Sequence, residues 1–227
     1  MKSKISHIFL SGGGSAKESV LFDKHFVEVI DRSRPLIYIP NAKESKQYQK
    51  CIKWFLHAMT SLGITDIEMW DNLSPRLDVN LISGIYIGGG NTVKLLNELR
   101  QSGFCNYILN AAKERVPIYG GSAGAIILGE DIRTAPEARH MTGTESSGLK
   151  IVKNYSIVCH YKPADEKINQ ILSKSICKHI IAIPEKTAGH ILGTMLTVYG
   201  MSPITIIRGD KVNMLKPNQS IELEDMD

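Results

Sequence analysis

The stretch "VPIYGGSAGAIILGE", residues 116–130, decides how this chain of 227 residues is interpreted. A short strand-like run leads into Ser122, which is flanked by glycines, and an apolar run follows at once. Turns of this kind, from a strand into a helix, lie at the carboxyl ends of the strands in open α/β sheets. The pattern therefore predicts a strand, a tight turn at Ser122 and a helix, and it raises the question whether this serine is a nucleophile.

Short apolar runs alternate with longer helical patterns through the first 130 residues. The strand-like runs are "ISHIFLS", "PLIYIP", "ITDIEMW" and "SGIYIGGG", and helix-like segments such as "AKESVLFDKHFVEVIDR" and "NTVKLLNELRQSG" separate them. Such alternation is typical of crossover units in a mainly parallel sheet with helices on both faces. We therefore expect an α/β fold.

After residue 130 the pattern changes to mostly strand-like runs. These are "LKIVKN", "YSIVCHY", "KHIIAIPE", "HILGTMLTVYG" and "ITIIRG", with one helix-like segment at "ADEKINQILSKSI". We expect these strands to extend the same sheet. The length fits one domain over residues 1–227, since single α/β domains commonly reach this size.

The composition places the chain among ordinary globular proteins, with 43% hydrophobic and 22% charged residues. No apolar stretch approaches the roughly 20 residues that a membrane helix needs. The N-terminal apolar run alternates with polar residues and lacks a signal-peptidase site, so we expect a cytoplasmic protein. The four cysteines are widely spaced, which favours reduced thiols over a zinc or redox site.

Positive charge is concentrated in "KESKQYQKCIKW", where Lys43, Lys46, Lys50 and Lys53 recur at spacings of three and four. The pattern predicts an amphipathic helix with a solvated basic face. A nucleic-acid patch is the alternative, but the stretch has no interleaved aromatics and no binding motif. We therefore expect no nucleic-acid partner.

Three glycine-rich stretches lie between predicted strands and helices: residues 11–19, 87–92 and 120–124. The first two lack the third glycine of a dinucleotide-binding loop, and no P-loop pattern is present. The third, Gly120 to Gly124, satisfies the G-x-S-x-G pattern of a nucleophile elbow, in which a strained turn lifts the serine above the sheet. The alternative is a flexible loop between two buried elements.

An activated serine also needs donors for an oxyanion. The N–H of Ala123 lies at a predicted helix N-terminus, where it has no partner within the helix. A second donor is expected from "IGGGNT", at Gly89 or Gly90. The same loop can serve as a helix start capped by Asn91 or Thr92, and both interpretations can hold together.

The base and its orienting acid are sought among residues at strand ends. His160 ends the apolar run "SIVC", and Glu185 follows the strand-like "HIIAIP". Histidine is the usual base for a serine, and an acid is needed to orient its other ring nitrogen. We therefore predict a triad of Ser122, His160 and Glu185. A rival set pairs Ser122 with His190 and with Asp165 or Glu166.

The motifs "GGGNT", "GGSAGA", "CHY" and "IPE", in this order and at these intervals, resemble the serine peptidase family that contains dipeptidase E (aspartyl dipeptidase), family S51, and more distantly cyanophycinase. The resemblance covers nearly the whole chain. It implies a three-layer αβα fold related to class I glutamine amidotransferases, of flavodoxin-like type, and a Ser-His-Glu triad. It also implies a small peptide substrate and neither metal nor cofactor.

The resemblance further implies that Arg133, in "DIRT", binds a substrate carboxylate and that Glu137 meets the free amine. The alternative is that these two side chains pair with each other. Lys186 and Thr187 depart from the Gly-Asn of the dipeptidase, which bears on aspartate specificity. We expect a serine exopeptidase, monomeric or homodimeric and without membrane partners; the alternative is a small-molecule binding protein that lacks turnover.

Overall fold

The computed structural model describes residues 6–162 and 179–224. Within these ranges it contains five α-helices, α1 to α5, at Ala16–Val29, Tyr48–Thr60, Thr92–Gln101, Phe104–Lys113 and Ala123–Leu128. The same ranges contain twelve strands, β1 to β12, at His7–Ser11, Leu36–Ile39, Ile67–Met69, Gly84–Ile87, Ile118–Gly121, Tyr155–Val158, His179–Ala182, Thr187–Leu192, Met195–Gly200, Ile204–Arg208, Lys211–Leu215 and Ser220–Glu222.

Eight strands form the central sheet in the order β12-β9-β8-β1-β5-β4-β2-β3. The pairings from β1 across to β3 are all parallel, and β8, β9 and β12 extend the other edge by antiparallel pairing. The predicted α/β fold with a mainly parallel sheet is thereby confirmed. The turn at Ser122 falls where the central strand β5 meets helix α5.

Aromatic side chains form one face of this sheet. Phe9, Tyr119, Tyr86 and Tyr38 lie on four neighbouring strands in register, and the rings of Tyr86 and Tyr119 stack at 4.1 Å. Helices α1 and α2 cover this face and bury their own aromatic and aliphatic side chains against it. The period of two along each strand thus places all the large rings in one layer.

Aliphatic side chains form the opposite face. The isoleucines that alternate with the rings on β1, β2, β4 and β5 pack against leucines of α3 and against Phe104 and Ile108 of α4. Residues of α5 belong to the same cluster and are buried. Two helical layers therefore enclose the sheet, and this arrangement fixes the carboxyl ends of the parallel strands as the accessible edge.

The C-terminal strands do not all join this sheet, which corrects the expectation from the sequence. Strands β8, β9 and β12 extend it, whereas β6, β7, β10 and β11 form a second sheet in the order β11-β10-β7-β6. The stretch predicted as one strand at "HILGTMLTVYG" contains a hairpin turn at Gly193. Alternating apolar residues predict a strand but do not identify its neighbour, because that choice is made by tertiary packing.

The run "LKIVKN" is a turn, not a strand. The N–H groups of Leu149 and Val152 donate to the carbonyl oxygens of Ile127 and Leu128 at the end of α5. Those carbonyls have no partner within the helix, so the segment satisfies them and takes a turn conformation.

Several expectations concern residues outside the described ranges: the helix at "ADEKINQILSKSI", the acids Asp165 and Glu166, and Cys177. The other three cysteines are free thiols. None of the described helices has the length and apolar composition to cross a membrane. The single domain over residues 1–227 stays a prediction.

We predict that Phe26→Ala lowers the free energy of unfolding by about 3–5 kcal/mol, because the fully buried ring packs against Phe9, Tyr86 and Tyr119. Leu21→Ala on the same helix is the control, since Leu21 is 53% exposed and its loss changes stability by only about 0.5 kcal/mol. Urea unfolding measures both. Equal effects of the two substitutions would contradict the assigned faces of α1.

A second prediction concerns Asp23, which lies on α1 beneath the aromatic face and accepts a 2.6 Å hydrogen bond from Ser19. Burial raises the pKa of Asp23 to about 6. The folded chain therefore binds more protons than the unfolded chain between pH values of about 4 and 6. The contribution of Asp23 to stability is present below this window and falls by about 3 kcal/mol as the pH rises through it.

Replacing Asp23 with Asn removes this titration and keeps an acceptor for Ser19. We expect Asp23→Asn to gain stability relative to the parent chain as the pH rises from about 4 to 6, with a constant difference above pH 6. Urea unfolding across this range measures the difference. A difference independent of pH would show that Asp23 does not titrate as its burial predicts.

Candidate active site

Ser122 occupies the turn between β5 and α5 with φ of 50° and ψ of −110°. A non-glycine residue at such angles is strained and persists only where its surroundings hold it. Its N–H donates to Ser11 O at 2.9 Å, and its carbonyl oxygen accepts from the N–H groups of Ala125 and Ile126. The backbone of Ser122 is thus tied to β1 on one side and to α5 on the other.

The glycines around Ser122 are required by crowding. A Cβ at Gly120 would lie 2.6 Å from the Ala125 nitrogen, and one at Gly124 would collide with the carbonyl oxygen of Ile87. Neither the helix backbone nor the β4 carbonyl can move without breaking main-chain hydrogen bonds. The sequence G-x-S-x-G therefore follows from close packing of α5 against β4 and β5.

His160 connects Ser122 to Glu185. Its Nε2 lies 2.7 Å from Ser122 Oγ, and its Nδ1 lies 2.9 Å from Glu185 Oε1. Because an ionised carboxylate only accepts, Nδ1 carries the proton and Nε2 faces the hydroxyl as an acceptor. The side chains of His160 and Glu185 are 50% and 58% exposed, so a solvent-borne ligand can reach them. The structure brings together the three residues predicted as a triad.

The first glycine loop, residues 12–14, positions the histidine. Gly12 O accepts the N–H of His160 at 3.1 Å. A Cβ at Gly13, where φ is 106°, would lie 2.5 Å from Cε1 of the His160 ring. His160 itself has a positive φ of 54°. No motif in the sequence indicates the contact of this loop with the imidazole, because the contact joins residues that are distant in the chain.

Glu185 is positioned through its neighbour Lys186. The N–H of Lys186 donates to Gly13 O at 2.9 Å, and its Nζ lies 2.6 Å from Glu18 Oε1. Hydrogen bonding to Lys186, and then to Ser15, lowers the pKa of Glu18 to about 2. The residue that departs from the dipeptidase pattern thus ties the Glu185 segment to the start of α1. This contact was missed, since nothing in the local sequence connects Glu18 with Lys186.

The second glycine loop borders the nucleophile. Gly88 donates its N–H to Ile39 O and is therefore occupied. Gly89 lies against the turn, where an added Cβ would be 3.1 Å from Cβ of Ser122, and Gly90 has φ of 154°. Asn91 Oδ1 accepts the N–H of Lys94 and caps α3. Ala123 is the first residue of α5. The roles of Ala123, Gly89 and Gly90 as oxyanion donors stay predictions.

Arg133 and Glu137 make separate contacts, Arg133 with Asp131 and Glu137 with Thr92. The guanidinium of Arg133 forms a two-pronged ion pair with Asp131, with Nη2 2.6 Å from Oδ2. Glu137 Oε1 accepts the N–H of Thr92 at 2.8 Å. Glu137 lines a pocket that reaches Ser122, together with Arg139, which sequence reasoning did not single out. The guanidinium of Arg133 is thus engaged by Asp131, and its role in substrate binding stays a prediction.

The rival base His190 does not belong to this site. Its ring stacks on Phe9 at 4.1 Å, and its Nε2 lies 3.0 Å from Nδ1 of His7. Burial, followed by the nearby charge of His7, lowers the pKa of His190 to about 4. The rival set is therefore wrong: the period of two along β8 points His190 into the aromatic layer, and its ring is held there.

Two pockets meet at Ser122 and His160. The larger, of about 560 Å³, extends from the first two glycine loops to helix α2. The smaller, of about 280 Å³, extends towards Glu137 and Arg139. Both include Gly90. A ligand bound across Ser122 would therefore place one half in each pocket. Among the described residues no cluster of three or more His, Cys, Asp or Glu side chains could hold a metal ion.

Comparisons with known proteins identify the family of this chain. The model of Peptidase family S51 matches residues 8–199. Peptidase E of Shewanella sp. (strain W3-18-1) is 26% identical over 190 residues, 80% of each chain, and Peptidase E of Haemophilus influenzae (strain PittGG) is 24% identical over 183 residues, 76% of this chain and 78% of the relative.

Two crystal structures share the fold. A putative Peptidase E protein from Listeria monocytogenes EGD-e superimposes with a TM-score of 0.67 and 25% identity, over 87% of this chain and 100% of that one. A peptidase from an acI-B1 actinobacterium gives a TM-score of 0.78 at 20% identity, over 96% and 97%. The expected fold, related to class I glutamine amidotransferases, is thereby confirmed.

The contact between Gly13 and His160 leads to a prediction. Gly13→Ala should slow the labelling of Ser122 by a fluorophosphonate about 100-fold, because the added Cβ displaces the imidazole. Gly103→Ala is the matched control, since Gly103 also has a positive φ, of 73°, but faces open space. Intact-protein mass spectrometry follows the labelling, and thermal unfolding checks the fold. Equal labelling of the two folded variants would show that Gly13 does not position His160.

Proposed function

Because the chain belongs to Peptidase family S51, we propose that it is a serine exopeptidase that hydrolyses short peptides through Ser122, His160 and Glu185. The observation that carries the proposal is the unbroken hydrogen-bond chain from Ser122 Oγ through both ring nitrogens of His160 to Glu185 Oε1. The serine is held on a strained turn at the carboxyl edge of the sheet, where two pockets meet.

In the first step Ser122 Oγ attacks the scissile carbonyl while His160 Nε2 takes its proton. Glu185 stabilises the imidazolium that forms. His160 then donates the proton to the leaving amine, the C–N bond breaks, and an ester on Ser122 remains. Water attacks this ester with His160 again as base, which releases the acid product and restores the serine.

The negative charge that develops on the carbonyl oxygen requires nearby donors. We assign this role to the N–H of Ala123 together with that of Gly89 or Gly90. Gly88 is left out because its N–H already bonds to Ile39 O. The small side-chain volume around Ser122 supports the assignment, since Gly89 borders the turn directly.

The smaller pocket suits the first residue of the substrate. Glu137 supplies a carboxylate for the free amine, and Arg139 supplies a cation for an acidic side chain. Because the guanidinium of Arg133 is engaged by Asp131, we assign the recognition of an acidic side chain to Arg139 in place of Arg133. An N-terminal aspartate or glutamate is thus the first residue that this pocket favours.

We expect Ser122→Ala to reduce hydrolysis of a panel of Asp-X, Glu-X and neutral dipeptides by about 10⁴-fold or more, since removal of the nucleophile leaves only binding and the oxyanion hole. Glu185→Gln should cost about 100-fold or more through loss of the imidazolium partner. His190→Gln is the control and should retain activity, because His190 is held by Phe9 and His7. Release of free amino acid is the measurement.

Full turnover by folded Ser122→Ala would remove the mechanism. Binding of peptides without hydrolysis by the parent chain would instead favour the non-hydrolytic binding protein. A preference for acidic first residues that is lost in Arg139→Gln and kept in Arg133→Gln would support the assignment of Arg139; the opposite pattern would return the role to Arg133.

A further inference from the structure

The larger pocket beside Ser122 carries an inference that rests on the proposed function. We call it the α2 pocket, because Lys50 and Trp54 of helix α2, with Lys43 and Gln47 just before it, form one wall. We propose that the α2 pocket binds a carboxylate on the leaving half of the peptide, and that Lys43 and Lys50 supply the positive charge that recognises it.

The charge of the lining supports a negatively charged ligand. The residues that line the α2 pocket include Lys43 and Lys50 but no aspartate or glutamate. The smaller pocket, by contrast, contains one residue of each sign, Glu137 and Arg139. Because the two pockets meet at Ser122, a bound peptide crosses from a mixed-charge region into a positive one. Its free carboxylate is favoured at the positive end.

The two lysines are available for a ligand. Within the part of the chain that the structure describes, no carboxylate pairs with Nζ of Lys43 or Lys50, whereas Lys94 is paired with Glu98 and Lys186 with Glu18. Both pocket lysines are exposed in the free protein. A carboxylate placed between them would gain charge-assisted hydrogen bonds that the protein itself does not supply.

The basic stretch identified in the sequence is divided by this geometry. Lys43 and Lys50 line the α2 pocket, whereas Lys46 and Lys53 are exposed and do not line it. Each pair is separated by seven residues. Lys50 and Lys53 belong to α2, whereas Lys43 and Lys46 precede it, so the path of the chain into the helix decides which lysines face the pocket. The amphipathic helix expected from the sequence therefore carries only Lys50 and Lys53, although all four lysines are exposed.

The floor of the pocket supplies hydroxyl groups. Ser11, Ser19, Tyr38, Tyr86 and Tyr119 contribute to the lining. Burial raises the pKa of each of the three tyrosines, which are therefore neutral and able to donate. Ser19 donates to the buried Asp23, and the same carboxylate lies close to Tyr86 and Tyr119. The positive charge that suits an oxygen anion is therefore supplied at the rim, by Lys43 and Lys50.

The orientation of the peptide follows from the other pocket. Glu137 in the smaller pocket suits the free amine of the first residue, which places the remainder of the peptide on the opposite side of Ser122. The α2 pocket has about twice the volume of the smaller one. Trp54, 38% exposed, offers apolar surface at its wall. The pocket therefore accommodates a leaving half larger than one small residue, with its carboxylate near the lysines.

Four substrates that share the same first residue, written X, test the inference, and they differ only in the leaving half. The leaving half of X-Ala carries a free α-carboxylate, and that of X-Ala amide carries no carboxylate. The leaving half of X-Glu amide carries only a side-chain carboxylate, and that of the p-nitroanilide of X is uncharged. The double variant Lys43→Gln/Lys50→Gln is compared with the matched Lys46→Gln/Lys53→Gln, which removes the same charge from the solvated face.

For the parent chain we expect KM of X-Ala to be about tenfold lower than KM of X-Ala amide, and to rise with ionic strength. The pocket variant should raise KM of X-Ala about tenfold and leave the p-nitroanilide unchanged. The matched variant should leave all four substrates unchanged. X-Glu amide identifies the source: a low KM that the pocket variant raises indicates a side-chain carboxylate, and a KM like that of X-Ala amide indicates the α-carboxylate.

Two results would overturn the inference while the proposed function stands. In the first, the p-nitroanilide is hydrolysed but the KM values of X-Ala, X-Ala amide and X-Glu amide are equal. In the second, the pocket variant and the matched variant change the KM of X-Ala by the same factor. If the parent chain hydrolyses none of the four substrates, the proposed function is overturned, and the inference with it.

Discussion

The site depends on the backbone at Ser122, which is held at φ of 50° by hydrogen bonds to β1 and to the first turn of α5. Such a conformation costs about 1–3 kcal/mol and lasts only where packing enforces it. Here the parallel pairing of β5 between β1 and β4 and the close approach of α5 to the Ile87 carbonyl leave no alternative path for the chain. The hydroxyl of Ser122 is consequently fixed at the edge of the sheet, and the neighbouring groups are arranged around it.

His160 and Glu185 approach Ser122 from the second sheet. Each lies in a loop that follows a strand of the second sheet, His160 after β6 and Glu185 after β7, and both strands pair in parallel. The first glycine loop bonds to both segments through Gly12 and Gly13. Three backbone segments from distant parts of the chain thus fix the distances between hydroxyl, imidazole and carboxylate. The Glu18 to Lys186 ion pair adds a tie to α1, although an exposed pair of this kind contributes modestly to stability.

Local patterns in the sequence predicted the α/β fold, the turn at Ser122 and the trio Ser122, His160 and Glu185, since these are expressed in short runs and strand ends. Three features escaped because each depends on contacts that the local pattern of residues does not show. Strands β6, β7, β10 and β11 formed their own sheet, since alternation does not name a partner. The ion pair of Arg133 with Asp131, two residues before it, was not foreseen. The split of the basic stretch into pocket and solvent lysines required the position of α2 and the path of the chain that leads into it.

The central claim is that Ser122 becomes covalently acylated during turnover. Its most direct test is rapid mixing with a dipeptide ester whose deacylation is slow, acid quenching, and mass spectrometry of the proteolytic fragments. The account predicts a mass increase equal to the acyl group on the fragment that contains Ser122, formed before product is released and absent when the ester is omitted. Steady hydrolysis without any adduct on that fragment, or an adduct on another residue, would contradict it.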